Sequence, residues 1–155
     1  PPVFGVYRFW SPQTGRHLYT LDRRERDELV LRHAGAWANE GAAFYVYSEK
    51  GQCAGTQPVY RLWSQAMQVS FYTMNQAEKD AVLANSGDVW ESRQVAWYAF
   101  PEEAHPPDTQ PVYRFWSGAV RSHFYTINPG EKDRLIADAS HVWTYEGVAW
   151  YAYGK

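Results

Sequence analysis

Tryptophan, histidine and glutamate occur together at two places in the chain that lie 106 residues apart. The first set is Trp10, His17 and Glu40, and the second is Trp116, His123 and Glu146. A half-exposed indole offers a flat face to the apolar C–H face of a sugar ring, and a histidine beside it supplies a hydrogen bond that orients the ring. The pattern predicts two equivalent ligand-binding sites whose ligand is a carbohydrate.

A third copy of this pattern lies between the two and is altered. It retains Trp63 but has Ser70 where the others have histidine, and Arg93 and Gln94 where they have glutamate and glycine. We therefore predict a weakened site around Trp63 and Ser70. The alternative interpretation is that His17 and His123 are packing residues on the strand surface.

The cysteine, the histidines and the repeated acidic residues argue against catalysis. The single cysteine, Cys53, lies in a connector, and the five histidines show no ligand spacing such as H-x-x-x-H. A nucleophilic site needs one unique trio of residues, whereas Glu25 and Asp27 recur in every copy and have structural roles there. The sequence predicts a protein that is not an enzyme, with no catalytic residue, no cofactor and no metal site.

The copies belong to an internal repeat of constant length. Tyr7, Tyr60 and Tyr113 are spaced by 53 residues each time, without insertion or deletion. The repeats span about 3–50, 56–103 and 109–155, joined by polar connectors rich in glycine or proline. Repeats of this size share a core, so we predict a single domain formed by all three.

Composition excludes several classes of partner. The net charge of −2 and the absence of a basic stripe disfavour nucleic acid. No apolar run approaches the roughly 18 residues that span a bilayer, so no membrane insertion is predicted. The chain begins with PPVFG, which lacks the charged and apolar regions of a signal peptide, and we expect a mature or excised fragment.

Each repeat is predicted to contain a β-hairpin, a short helix and a final strand. In the third repeat the hairpin strands are Val112–Trp116 and His123–Ile127. The final strands are Ala42–Tyr47, Val95–Phe100 and Val148–Tyr153. The helices begin after the N-cap residues Asp22, Asn75 and Asn128, and Glu25, Glu78 and Glu131 complete capping boxes.

These elements favour a mostly β fold with short helices. Because one three-stranded unit cannot stabilise itself, we predict three repeats closed with pseudo-threefold symmetry in a β-trefoil-like arrangement. A threefold β-prism or a small ring is the alternative. Within each unit, Arg8, Arg61 and Arg114 are expected to form ion pairs with Asp27, Asp80 and Asp133.

The phrases PVYRFW, HFYT and YEGVAWYAY resemble a family of secreted bacterial and fungal repeat domains of unknown function. The resemblance covers all three repeats and implies an extracellular location and an accessory or recognition role. Combined with the aromatic content, it favours a non-catalytic, lectin-like module that binds a glycan or cell-surface polysaccharide. The alternatives are a protein-binding or inhibitory module and, third, a structural spacer.

Overall fold

The structure is a computed structural model that describes residues 2–155 and consists of short antiparallel strands with three helices. The first repeat contains β1 (Phe4–Trp10), β2 (His17–Thr20), α1 (Arg23–Arg32) and β3 (Ala38–Val46). The second contains β4 (Gln57–Ser64), β5 (Val69–Thr73), α2 (Gln76–Asn85), β6 (Glu91–Ser92) and β7 (Trp97–Ala99). The third contains β8 (Gln110–Ser117), β9 (Ser122–Thr126), α3 (Pro129–Asp138) and β10 (Thr144–Ala152).

The strands form three antiparallel sheets, one in each repeat, with the first strand of the repeat in the centre. Their orders are β2-β1-β3, β5-β4-β6 with β7 also paired to β4, and β10-β8-β9. The prediction of a mostly β fold with short helices is confirmed. None of the three sheets is closed into a barrel, and pseudo-threefold, β-trefoil-like closure stays a prediction.

A bulge interrupts the pairing of the final strand in the first and third repeats. Gly41 and Gly147 lie there with φ angles of 81° and 93°, a left-handed conformation that glycine adopts without steric cost. Gln94 stands at the corresponding position of the second repeat and does not have a positive φ. Without this bulge, the final strand of the second repeat is divided into β6 and β7.

The three helices begin where the N-cap residues predict. The side chains of Asp22, Asn75 and Asn128 each accept hydrogen bonds from backbone N–H groups of the first turn. A capping box also requires the first-turn glutamate to accept a hydrogen bond from the N-cap N–H, and this part of the prediction is wrong. A threonine hydroxyl accepts that hydrogen bond instead, as Thr73 does for Asn75 at 3.1 Å. The glutamates of the first turn are therefore available for other contacts.

The core lies where the three sheets meet and is largely aromatic. Its centre is a closed ring of hydrogen bonds that joins Tyr19, Tyr72 and Tyr125, one from each repeat. The hydroxyl of Tyr19 donates to the carbonyl oxygen of Tyr125 at 2.9 Å, Tyr125 donates to Tyr72 at 2.7 Å, and Tyr72 donates to Tyr19 at 3.0 Å. Burial raises the pKa of all three phenols, so they remain neutral donors.

The final strands of the repeats also contact one another. Tyr45 bridges to Tyr153, Tyr47 to Tyr98, and Phe100 to Tyr151. Each repeat thus depends on the other two for part of its backbone hydrogen bonding. Among residues 2–155, no helix is long and apolar enough to span a membrane.

Candidate functional site

The predicted tryptophans and histidines are neighbours across the hairpins of the first and third repeats. Trp10 lies opposite His17, and Trp116 lies opposite His123, in the register of the paired strands. The rings of Trp116 and His123 are 4.7 Å apart. In the second repeat the same register places Trp63 opposite Ser70. Trp10 is 37% exposed, so one face of its indole reaches solvent.

The predicted glutamates complete the two sets. In the first repeat, Oε1 of Glu40 accepts from Nε of Arg8 at 2.8 Å and lies 3.4 Å from Nε2 of His17. In the third, Oε1 of Glu146 accepts from Nε of Arg114 at 2.9 Å and lies 3.2 Å from Nε2 of the histidine. The glycine bulge that follows each glutamate positions its side chain over the hairpin.

A second glutamate from a different repeat binds each of these arginines. The guanidinium of Arg8 contacts Glu131 of α3 at 3.1 Å and 3.4 Å, and that of Arg114 contacts Glu78 of α2 at 2.8 Å and 2.9 Å. Sequence reasoning assigned these glutamates to capping boxes and missed this role. Their presence in all three copies beside an equally repeated arginine was the available signal.

The predicted pairing of the arginines with aspartates is wrong. Asp27 instead contacts Arg26 on its own helix at 2.9 Å, and Asp80 and Asp133 lie beside the lysines that precede them. An aspartate two residues beyond the first-turn glutamate projects from another part of the helix surface, because successive helical residues are about 100° apart. The helix therefore presents the glutamate to the neighbouring repeat and the aspartate to solvent.

The two histidines are held between the sheets. His17 packs on Phe124 with ring centroids 4.6 Å apart, and His123 stacks on Phe71 at 4.3 Å. Only 11% of either histidine side chain is exposed. These contacts agree with the packing interpretation and leave the Nε2 atoms turned toward the glutamates.

Burial and these contacts act in opposite directions on the ionisable groups. Burial raises the pKa of Glu40 and Glu146, but the hydrogen bonds and charges of histidine and arginine outweigh it, and the pKa of each carboxyl lies below its ordinary value. For His123, burial is the largest effect and lowers the pKa despite the nearby carboxylate of Glu146. The folded protein thus favours an ionised glutamate beside a neutral histidine.

These shifts predict that acid destabilises the protein. The pKa values of Glu146 and His123 are lower in the folded state than in the unfolded state, so the unfolded chain takes up more protons as the pH falls. The free energy of unfolding should decrease as the pH falls below about 7, through the ordinary histidine range, and decrease further below about pH 4.5, where the carboxyl of Glu146 takes up a proton. Chemical denaturation at a series of pH values measures this free energy of unfolding.

The variant Glu146→Gln tests the assignment of this pH dependence. It should be less stable than the wild type at neutral pH, and its stability should decrease less than that of the wild type below about pH 4.5, where the carboxyl of Glu146 is protonated. Glu103→Gln, an exposed carboxylate in a connector, is the matched control and should keep the full decrease. A Glu146→Gln curve parallel to that of the wild type would contradict the assignment.

The second repeat lacks this charge network. Nε of Arg61 donates to the hydroxyl of Ser70 at 2.9 Å, and within residues 2–155 this arginine forms no ion pair with any carboxylate. Arg93, in the place of the glutamate, contacts Glu91 at 2.7 Å. A cleft of about 700 Å³ lies beside Arg61 and Arg93, whereas the cavity beside His17 and Glu131 is about 190 Å³.

The described part of the chain contains no group of three or more histidine, cysteine, aspartate or glutamate residues that could hold a metal ion. Cys53 is a free thiol in the connector between the first two repeats. The structure thus adds no candidate ligand set for a metal.

The comparison with known families finds a match over almost the whole chain. The family described as "Domain of unknown function (DUF5648)" matches residues 3–100 and 86–155, which together cover almost the whole chain. The chain belongs to this family. The two overlapping matches agree with the predicted resemblance to a repeat-domain family of unknown function, while secretion stays a prediction. No curated protein and no solved structure matches the chain.

Proposed function

We propose that this protein is a non-catalytic carbohydrate-binding module with equivalent sites in the first and third repeats. Each site consists of a tryptophan face, a glutamate fixed by arginine, and the histidine between them. The ligand is a glycan or cell-surface polysaccharide, and the module acts outside the cell. The residues are Trp10, His17 and Glu40 in one site and Trp116, His123 and Glu146 in the other.

The observation that supports this proposal is that each of the two glutamates has one carboxylate oxygen without a hydrogen-bond partner. In each, Oε1 accepts from arginine and lies within 3.4 Å of the histidine Nε2, whereas Oε2 has no hydrogen-bond partner among residues 2–155. The side chains of Glu40 and Glu146 are 32% and 29% exposed. An oriented carboxylate oxygen that is open to solvent accepts hydrogen bonds from sugar hydroxyl groups, and the indole beside the histidine supplies the apolar face.

We propose a role for the histidines that differs from the one that the sequence suggested. His17 and His123 are buried against phenylalanine rings and direct Nε2 to the glutamate. In the proposed sites they are positioning residues, which hold the carboxylate, and the glutamate makes the polar contact with the sugar. Trp63 and Ser70 form the weakened copy, because Arg93 removes this carboxylate.

We also propose that the three repeats close with pseudo-threefold symmetry around the tyrosine ring. The support is the closed set of hydrogen bonds among Tyr19, Tyr72 and Tyr125, together with the pairwise bridges between the final strands. Such closure presents the three hairpin ends at equivalent positions. Two sugar sites on one rigid unit can raise avidity by roughly 10²- to 10⁴-fold over one weak site.

A glycan array followed by titration of the hits tests the function. The full chain should bind one class of neutral glycan, and the tryptophan fluorescence should change on titration because the proposed sites contain Trp10 and Trp116. No binding to any glycan, together with capture of a protein partner that depends on Trp10 and Trp116, would replace this proposal by the protein-interaction module.

A further inference from the structure

A large cleft lies where the second repeat meets the first, away from the two proposed sugar sites. It is formed by the end of β2, the beginning of α1 and the irregular segment between β6 and β7. Its volume is about 700 Å³, which lies within the usual range of sites for small molecules. This segment is the one in which Gln94 replaces the glycine of the other repeats.

Arg61 lies in this cleft with part of its hydrogen-bonding capacity unused. Its counterparts Arg8 and Arg114 each contact two carboxylates, one of their own repeat and one on a helix of another repeat. The guanidinium of Arg61 donates only through Nε, to Ser70, and its two terminal nitrogens have no hydrogen-bond partner among residues 2–155. A planar pair of donors facing a cleft is suited to a bidentate carboxylate.

The charge of the cleft also differs from that of the corresponding junctions. At each of the other two junctions between repeats, two glutamates balance the charge of the arginine. For example, Glu40 and Glu131 balance Arg8. In the cleft, Arg93 is already paired with Glu91 at 2.7 Å, whereas Arg61 forms no ion pair with a carboxylate among residues 2–155. Arg61 thus lacks the two carboxylates that its counterparts contact, so an anion is favoured beside it.

The remaining lining offers both apolar surface and small hydrogen-bonding groups. Val95 is exposed, and Phe4 and Leu21 also line the cleft. Ser48 adds a hydroxyl group. A sugar ring matches this combination, because it has apolar C–H faces and a polar edge.

We propose that this cleft is a third binding site, specific for a carboxylated sugar of the uronic acid type. The sugar carboxylate binds between Arg61 and Arg93 and makes the kind of contact that Glu40 makes with Arg8 and Glu146 makes with Arg114. The carboxylate of Glu25 accepts from a ring hydroxyl group, and the apolar residues contact the ring. This inference does not depend on the sugar sites at Trp10 and Trp116.

A matched pair of ligands tests the recognition of the carboxylate. Methyl glucuronide and methyl glucoside share one ring and differ in the carboxylate, and each is titrated calorimetrically into the full chain. The glucuronide should bind saturably, and the affinity for the glucoside should be lower by about tenfold or more. A hydrogen bond to a charged group contributes at least this factor. Equal binding of the two, or no saturable binding of the glucuronide, would overturn the proposal.

The variant Arg93→Glu tests the location of the site. It restores the glutamate of the other repeats, and the side chain of Arg93 is 47% exposed, so the fold should tolerate the change. Glucuronide affinity should decrease about tenfold or more. The control Arg134→Glu makes the same charge change on the exposed surface of α3 and should bind normally. Undiminished binding by a folded Arg93→Glu variant would overturn the proposal.

Two further experiments distinguish binding in this cleft from the other interpretations. The double variant Trp10→Ala and Trp116→Ala should keep its affinity for the glucuronide, because neither tryptophan lines the cleft. Loss of glucuronide binding in the folded double variant would instead assign the ligand to the tryptophan sites. An acetylated dipeptide with a free carboxyl terminus should bind more weakly than the glucuronide, and stronger peptide binding would contradict recognition of a sugar.

Discussion

Residues 1–55 expressed alone should not fold cooperatively, whereas the full chain should melt in one transition. The first repeat obtains much of its buried core from the other two. Phe44 packs on Trp97 and Trp150, each with ring centroids 5.8 Å apart. A chain of about 55 residues that loses such contacts buries too little apolar surface to offset its conformational entropy.

Polar contacts between repeats strengthen this expectation. In the isolated repeat, Tyr19 loses both its acceptor at Tyr125 and the hydroxyl of Tyr72 that bonds to its carbonyl oxygen. Arg8 loses Glu131, which belongs to the third repeat. A hydrogen bond contributes about 0.5–1.5 kcal/mol to stability, and the fragment lacks each of these contributions.

Circular dichroism during heating, with sedimentation to determine the mass, measures this prediction. The full chain under identical conditions is the control. A monomeric fragment that melts cooperatively would contradict it. A cooperative fragment that sediments as a trimer would agree with it, because other copies would supply the missing neighbours.

The elements of each repeat could be predicted from the sequence because their signals are local. Asp22, Asn75 and Asn128 mark the helix starts, and alternating aromatic and aliphatic residues mark the hairpin strands. The final strands are the exception. Those of the first and third repeats begin at Ala38 and Thr144, four residues before the predicted Ala42 and Val148. Val95–Phe100 was predicted as a continuous strand by analogy, but only Trp97–Ala99 pairs as one, next to the position where Gln94 replaces glycine.

The contacts between repeats could not be predicted in the same way. Spacing along the chain does not reveal which helix lies against which sheet, so Glu78 could not be assigned to Arg114 of the following repeat. The pairing of tryptophan with histidine across a hairpin was predictable, since a short loop fixes the register of the two strands. The glutamate beside the histidine was predicted by its repetition alone, and its contact with Arg8 or Arg114 was missed.

The changes in the second repeat were recognised from the sequence, but their consequence was not. Replacement of glutamate by Arg93 was interpreted only as loss of a site. The sequence also retained Arg61 without the carboxylate of its own repeat, and this unbalanced charge was the signal of a cleft suited to an anion. The cleft itself depends on how two repeats pack against each other, and local sequence patterns carry no information about this packing.

Loss of the tryptophans should abolish binding of neutral glycan without unfolding the protein. Trp10 is partly exposed at the end of β1, and Trp116 occupies the corresponding position of β8. Stacking of an aromatic ring on the ligand supplies the apolar part of the binding energy, and a single weak sugar site near millimolar affinity has only about −4 kcal/mol in total. Removal of one indole should therefore eliminate detectable binding at its site.

Calorimetric titration of the strongest neutral glycan from the array tests the central claim most directly. The wild type should bind about two molecules per chain, Trp116→Ala about one, and the double variant with Trp10→Ala none. Trp63→Ala, in the copy that lacks histidine and glutamate, is the matched control and should still bind about two. Unchanged stoichiometry in a folded double variant would contradict the claim that the module binds carbohydrate through the tryptophan, histidine and glutamate sites of the first and third repeats.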